Sequence, residues 1–342
     1  MMDLQYADYA WQQAASLLAV DSPTGFTHNA ALWVKEAFEA LGFSAQLTVK
    51  GGVLADLGGE GEGLVLAAHT DTLGAMVSQI KGNGRLKLTA LGGMEANNAE
   101  AENVRLYTRE GKVYEGTAQL CNASVHVNGQ YATTQRSFDT VEVVLDENVN
   151  SAEDARNLGI EVGDVVCFDP RTRRTASGYV KSRFLDDKLS VGILLGFAKY
   201  LRDTGMKPKC HVYVHVTVYE EVGHGGSGSV PEDVREMISV DMGCVGEGLQ
   251  CTERKVSICA KDSGGPYSYE VVGKLIAAAK AANADYAVDI YPRYGSDVEA
   301  TLRAGADIRH GLIGPGVYAS HGYERSHIDG IFNTLKLLKA YL

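Results

Sequence analysis

Leu64-Val65-Leu66-Ala67-Ala68-His69-Thr70-Asp71 is the stretch that decides the fold. Five apolar residues in an unbroken run read as a strand covered on both faces, and the run ends abruptly in three polar side chains. Upstream, residues 7–19 have a helical look, and Ser22-Pro23-Thr24-Gly25 interrupts them. Residues 28–41 form a second helical pattern, with Ala31, Val34, Ala37, Phe38 and Leu41 on one apolar stripe and Gly42 as its stop. Strand-like segments at 44–49 and 53–57 lead into the central run. Helices alternating with short strands predict an α/β layer fold.

The texture changes after Asp71. Between about 76 and 169 the chain shows short β-like pieces, at 85–89, 104–108, 112–114, 140–145 and 164–168, punctuated by Gly, Asn and Asp. One helix is expected there, at 151–158, capped by Ser151 with Asp154 three positions on. From Leu185 the earlier rhythm returns. Residues 189–201 read as an amphipathic helix. Residues 211–218 form a strand with Val212, Val214, Val216 and Val218 on one face. His211 and His215 lie on its other face and read as packing or surface residues. A short strand at 238–240 ends in Asp241, and helices are expected at 269–282, 297–305 and 331–342. The expected organisation is an α/β domain of residues 1–75 and 175–342, interrupted by a β-rich domain of residues 76–174.

Composition narrows the function. The chain has 342 residues, of which 45% are hydrophobic, which argues against disorder as the main state. With 32 Lys and Arg against 43 Asp and Glu, the formal net charge is −11, a poor match for nucleic acid. No apolar run approaches the ~18 residues of a membrane span, and the first twenty residues lack the basic-then-apolar order of a secretory leader. Six scattered cysteines without a CxxC pair fit a reducing compartment, so a cytoplasmic protein is expected. Gly51-Gly52 and Gly58-Gly59 read as turns, because no phosphate-loop pattern surrounds them.

Five polar clusters stand at element ends: His69-Thr70-Asp71, Asp186-Asp187, Glu220-Glu221, Asp241 and His321. In open α/β sheets the crevice beyond the strands' carboxyl ends is where ligands bind. Imidazole nitrogens and carboxylate oxygens are ordinary donors for Zn, Co or Mn. A carboxylate can bridge two ions, and Asp186 is the candidate bridge, with His69 and Asp241 on one side and Glu221 and His321 on the other. Asp71, two residues beyond His69, could accept its ring N–H and fix its tautomer. Of the adjacent pair, Glu221 is assigned to metal and Glu220 to proton transfer. Asp186 could also cap the helix that follows it.

These residues resemble the glutamyl aminopeptidase-like metallopeptidases, a family that also carries the labels endoglucanase M and tetrahedral aminopeptidase. Ala68-His69-Thr70-Asp71-Thr72-Leu73-Gly74 is similar to its His-x-Asp-x-Ile-Gly, and Leu185-Asp186-Asp187-Lys188 to its Leu-Asp-Asp-Arg. Glu220-Glu221-Val222-Gly223, Val240-Asp241 and Gly295-Ser296-Asp297 have counterparts there as well. The resemblance implies a metallopeptidase domain with a central mixed sheet flanked by helices, and an inserted β domain for dimerisation or larger shells. It further implies two divalent ions (Zn, Co or Mn) on His69, Asp186, Glu221, Asp241 and His321. Glu220 would be the general base and Asp71 the partner of His69, with short peptides as substrate. Gly295, Ser296 and Asp297 would lie against substrate. Three departures stand out: Lys188 replaces the usual Arg, Gly223-His224-Gly225-Gly226 is not the usual continuation of Glu-Glu-Val-Gly, and Ser320-His321-Gly322-Tyr323-Glu324 stands where the family more often has His-Ser-Pro-x-Glu, so that His327 rivals His321. A deacylase of small amino-acid or modified-peptide derivatives is the alternative activity for such a divergent site.

Overall fold

The computed structural model describes residues 2–342. It divides into two compact units, residues 72–170 and the remainder of the chain on either side. The shorter unit is a closed six-stranded antiparallel barrel of Gly74–Ile80, Leu86–Leu91, Val141–Leu145, Val113–Leu120, Asn103–Tyr107 and Val165–Phe168, in spatial order. Closure leaves no strand edge unpaired, and alternate residues such as Val104 and Leu106 fill the interior. The helix Ala152–Asn157 is capped as expected: the Ser151 hydroxyl oxygen accepts the Asp154 N–H at 3.1 Å.

The larger unit is built on a mixed sheet of twelve strands. At its centre run four mutually parallel strands, in the order His211–Thr217, Gly63–His69, Val234–Val240 and Arg309–Tyr318. Antiparallel strands extend both flanks: Val53–Gly58 and Ser44–Leu47 on one side, Glu324–His327, Tyr179–Ser182 and Arg173–Arg174 on the other. Gly63–His69 is buried along its whole length, as its apolar run requires. Because the central strands are parallel, their carboxyl ends open at one edge of the sheet. His69 ends one strand, Glu220-Glu221 follow another, Asp241 follows the third, and His321 lies three residues past the fourth.

The helix expected at 189–201 runs from Leu185 to Thr204 and is not amphipathic. It is buried almost all round, from Leu185 to Leu201. Gly192 admits the helix Leu4–Leu18 to close range: a Cβ there would lie 2.5 Å from the Ala10 carbonyl oxygen. Lys188, the departure from the family's Arg, is also buried. Its ammonium donates to the carbonyls of Leu17 (3.1 Å) and Val20 (2.6 Å), at the carboxyl end of the N-terminal helix, where a cation is favourably placed. No helix among the described residues is long and apolar enough to cross a membrane.

Candidate metal centre

Asp186 sits at the amino end of the long buried helix but does not cap it: its backbone (φ −73°, ψ 102°) is non-helical. Its carboxylate spans two histidines instead. Oδ1 lies 3.1 Å from His69 Nε2, and Oδ2 lies 3.6 Å from His321 Nε2. His321 Nε2 is in turn 3.7 Å from Glu221 Oε2, and His69 Nε2 is 3.6 Å from Glu220 Oε2. Two sets of potential donors emerge, one of His69, Asp186 and Glu221, the other of His69, Asp187 and Asp241. His69 is common to both, and Asp187, to which the sequence assigns no role beside Asp186, enters with Asp241. His327, the rival of His321, faces elsewhere: its Nε2 meets the Ser177 carbonyl at 2.8 Å and its Nδ1 accepts the Asp329 N–H.

The second layer holds these groups by their backbones. His69 Nδ1 is 2.9 Å from the Asp71 carbonyl oxygen, and the Asp71 carboxylate is farther away at 3.5 Å. That carboxylate accepts from the N–H groups of Glu220 (3.2 Å) and Glu221 (3.3 Å) and from the Thr24 hydroxyl (2.7 Å). Asp71 is therefore mainly the anchor of the Glu-Glu turn. Glu324 does the same on the far side, accepting from the Asp186 N–H at 3.0 Å and the His321 N–H at 2.9 Å. Its signal in the sequence was its place three residues beyond His321. Tyr219 and His321 adopt left-handed backbone (φ 69° and 63°), a local cost of about 1 kcal/mol or more that aims their neighbours into the cleft.

The electrostatics are those of acids packed without matching cations. Burial pushes Asp241 up to about 7, and the charge of Asp186 adds to it. Burial likewise raises Asp187, Glu220 and Glu221 well above the carboxylate range, with neighbouring acids reinforcing the shift. Asp186 is the exception: burial would raise it, but hydrogen bonds from His321 and His69 outweigh that and hold it low. Asp187 Oδ1 and Glu221 Oε1 are buried with no hydrogen-bond partner. Buried carboxyl oxygens without partners, grouped with the His69 imidazole, are the donor chemistry that a divalent cation satisfies, so the residues fit such ions.

The cleft continues as a cavity of ≈ 250 Å³, whose lining includes Asp186, Glu220, Glu221 and His321 together with Arg293, Gly295 and Asp297. Asp297 and Ser296 are themselves engaged: the Thr217 hydroxyl donates to Asp297 at 2.6 Å, and Ser296 Oγ lies 3.1 Å from the Tyr267 hydroxyl.

Residues 51–337 match the M42 glutamyl aminopeptidase family. The chain belongs to that family. It is 40% identical over 328 residues to YhfE of Bacillus subtilis (strain 168), a protein with an aminopeptidase name, and the match covers 95% of each chain. Its fold is shared with aminopeptidase APDkam598 from the archaeon Desulfurococcus kamchatkensis, at TM-score 0.86 and 20% identity over 98% of this chain and 95% of that one. The TET1 peptidase of Pyrococcus horikoshii, which can assemble into a tetrahedron or a large octahedral shell, aligns at TM-score 0.84 and 18% identity over 97% and 98%. The chain is thus a member of a peptidase family whose curated relatives bear aminopeptidase names.

Proposed function

We propose that this M42 protein is a cytoplasmic aminopeptidase that removes N-terminal residues from short peptides with two divalent ions, Zn, Co or Mn. His69, Asp186, Glu221, Asp241 and His321 would hold the ions, and Asp186, whose two oxygens face the two histidines, would be the shared ligand. When bound, the ions supply Lewis-acid activation of water and of the scissile carbonyl. Glu220 takes the proton from the attacking water and delivers it to the leaving amine nitrogen. Its backbone is tied to Asp71 while its carboxyl is only lightly exposed (14%), which suits a group that must carry a proton between two positions. The cluster's negative charge receives the substrate's free ammonium, and the wall at Gly295, Ser296 and Asp297 lies along the residues that follow. The barrel unit is assigned to self-association into a dimer or larger shell, in keeping with the assemblies of the TET1 peptidase.

The carrying observation is the Asp186 carboxylate straddling His69 and His321, with orphaned acid oxygens on both sides. Metal analysis combined with a peptide panel, before and after chelation, tests the reading. Two ions per chain and chelator-sensitive release of N-terminal residues are expected. Preference for N-acylated substrates would replace it with a deacylase, and activity that survives exhaustive chelation would end it. Glu220→Gln should keep its ions and lose about 10²–10⁴-fold in turnover.

A further inference from the structure

Lys50-Gly51-Gly52 lies in a tightly made turn. Thr48 N–H donates to the Gly52 carbonyl (2.8 Å), Gly51 N–H to the Thr48 carbonyl (2.9 Å) and Gly52 N–H to the Thr48 hydroxyl (2.9 Å). The turn projects Lys50 onto the glycine-rich loop that follows Glu220-Glu221. An ammonium has three N–H donors, and here all three have acceptors. They are the His224 carbonyl, the Gly225 carbonyl at 3.1 Å and the Ser227 hydroxyl at 3.0 Å.

That loop is packed against the proposed base. A Cβ on Gly225 would lie 2.9 Å from the Glu220 Cα and 2.2 Å from Asp297 Oδ1, so the backbone passes as close as an unsubstituted residue permits. The loop is also fastened across its own ends. The rings of Tyr219, just before Glu220, and His224, three residues after Glu221, stack at 5.1 Å and 18°, and the Lys50 ammonium lies 5.9 Å from the Tyr219 centroid. Burial lowers the Lys50 ammonium, and the charges of Asp297 and Asp71 offset part of that cost.

We infer that Lys50 is a positioning residue: it clamps the loop from His224 to Ser227 and thereby fixes Glu220 in the geometry that proton transfer needs. The inference rests on Glu220 being the base, but its structural half does not. Lys50 touches neither the donor set nor the orphaned oxygens, so ion content is independent of it. The effect should fall on kcat, because a base misplaced by about 1 Å can lose up to ~10²-fold while substrate binding is retained.

The experiment uses the metal-loaded protein and two variants, Lys50→Met and Lys50→Arg. For Lys50→Met the expected result is a 10- to 100-fold drop in kcat with a small change in KM, unchanged ion content, and faster amide exchange across residues 223–228. Lys50→Arg, whose guanidinium can donate to the same oxygens, should recover most of the rate and the protection. A purely structural lysine would lower the melting temperature and leave the kcat of the folded enzyme and the loop's exchange unmoved; that result overturns the clamp, as does an equal loss in both variants. If the wild type cleaves no peptide while Lys50→Met still loosens residues 223–228, the reaction assignment fails and the clamp stands on exchange alone.

Discussion

Asp71 and Glu324 face the cleft from opposite sides and act alike. Each is a buried carboxylate whose oxygens accept backbone N–H groups of proposed ligand or base residues. Glu324 makes the sharper test, because it ties Asp186 to His321, groups 135 positions apart in the sequence. In Glu324→Gln one oxygen survives and the amide NH₂ faces a donor it cannot accept from. Divalent-ion affinity should drop by about 10- to 100-fold, the usual consequence of disturbing a ligand's support. Titration with a competing chelator measures it, and wild-type affinity would show that the two backbones hold their places unaided. His215 tests a different physical effect. It is buried, its Nδ1 has no partner, and burial pushes its ring down to about 4 from the ordinary 6.5. Between those values the unfolded chain binds a proton that the folded chain refuses, so stability declines as pH falls through that window, by about 1.4 kcal/mol per unit. Unfolding of wild type and His215→Gln at pH 7 and pH 4 should show the wild type losing about 3 kcal/mol more than the variant. Parallel loss in both would mean that the ring is solvated.

At the scale of elements, what the sequence revealed depended on whether a signal was local. The run from Leu64 to Ala68, the valines at 212, 214, 216 and 218, and the stripe of the second helix are local patterns, and the structure has those elements. Arg309–Tyr318 was invisible, because Gly311, Gly314, Pro315 and Gly316 erase β-periodicity in a strand that neighbours cover on both sides. The helix Leu185–Thr204 was seen but misread as amphipathic, since its polar spacing comes from Ser190, Lys199 and small residues rather than from a solvated face. Asp186 and His321 lie in motifs that suggest a role for each, whereas the roles of Asp187 and Glu324 depend on where distant parts of the chain meet: Asp187 joins His69 and Asp241, and Glu324 reaches the Asp186 N–H. The packing of that helix carries its own prediction. Gly192→Ala gains about 1 kcal/mol of helix propensity but forces a methyl to within 2.8 Å of the Ala14 side chain and 2.5 Å of the Ala10 carbonyl. Overpacking of that severity costs about 1–3 kcal/mol, so the variant should be less stable by denaturant titration. A stabilised Gly192→Ala would mean that the two helices separate without penalty.

For the whole molecule, an acid excess that leaves the formal charge at −11 includes a buried cluster beyond the strand ends, where negative charge is hardest to bear. Folding brings these groups together against their mutual repulsion, and divalent cations would reverse the sign of that interaction. Ions that bind the folded chain alone stabilise it by mass action, about 4 kcal/mol per site at a thousandfold excess over Kd. The two compact units give this prediction a built-in control. The proposed ligands all belong to the unit of residues 1–71 and 171–342, and the barrel of residues 72–170 holds none of them. Scanning calorimetry on chelated protein should therefore show a transition for the larger unit that climbs by several degrees when Zn, Co or Mn is restored, while any separate barrel transition stays in place. A uniform shift of all unfolding would indicate that ions act on the chain generally. No shift at all would mean that the acids are neutralised by protons, and the two-ion reading would fall with it.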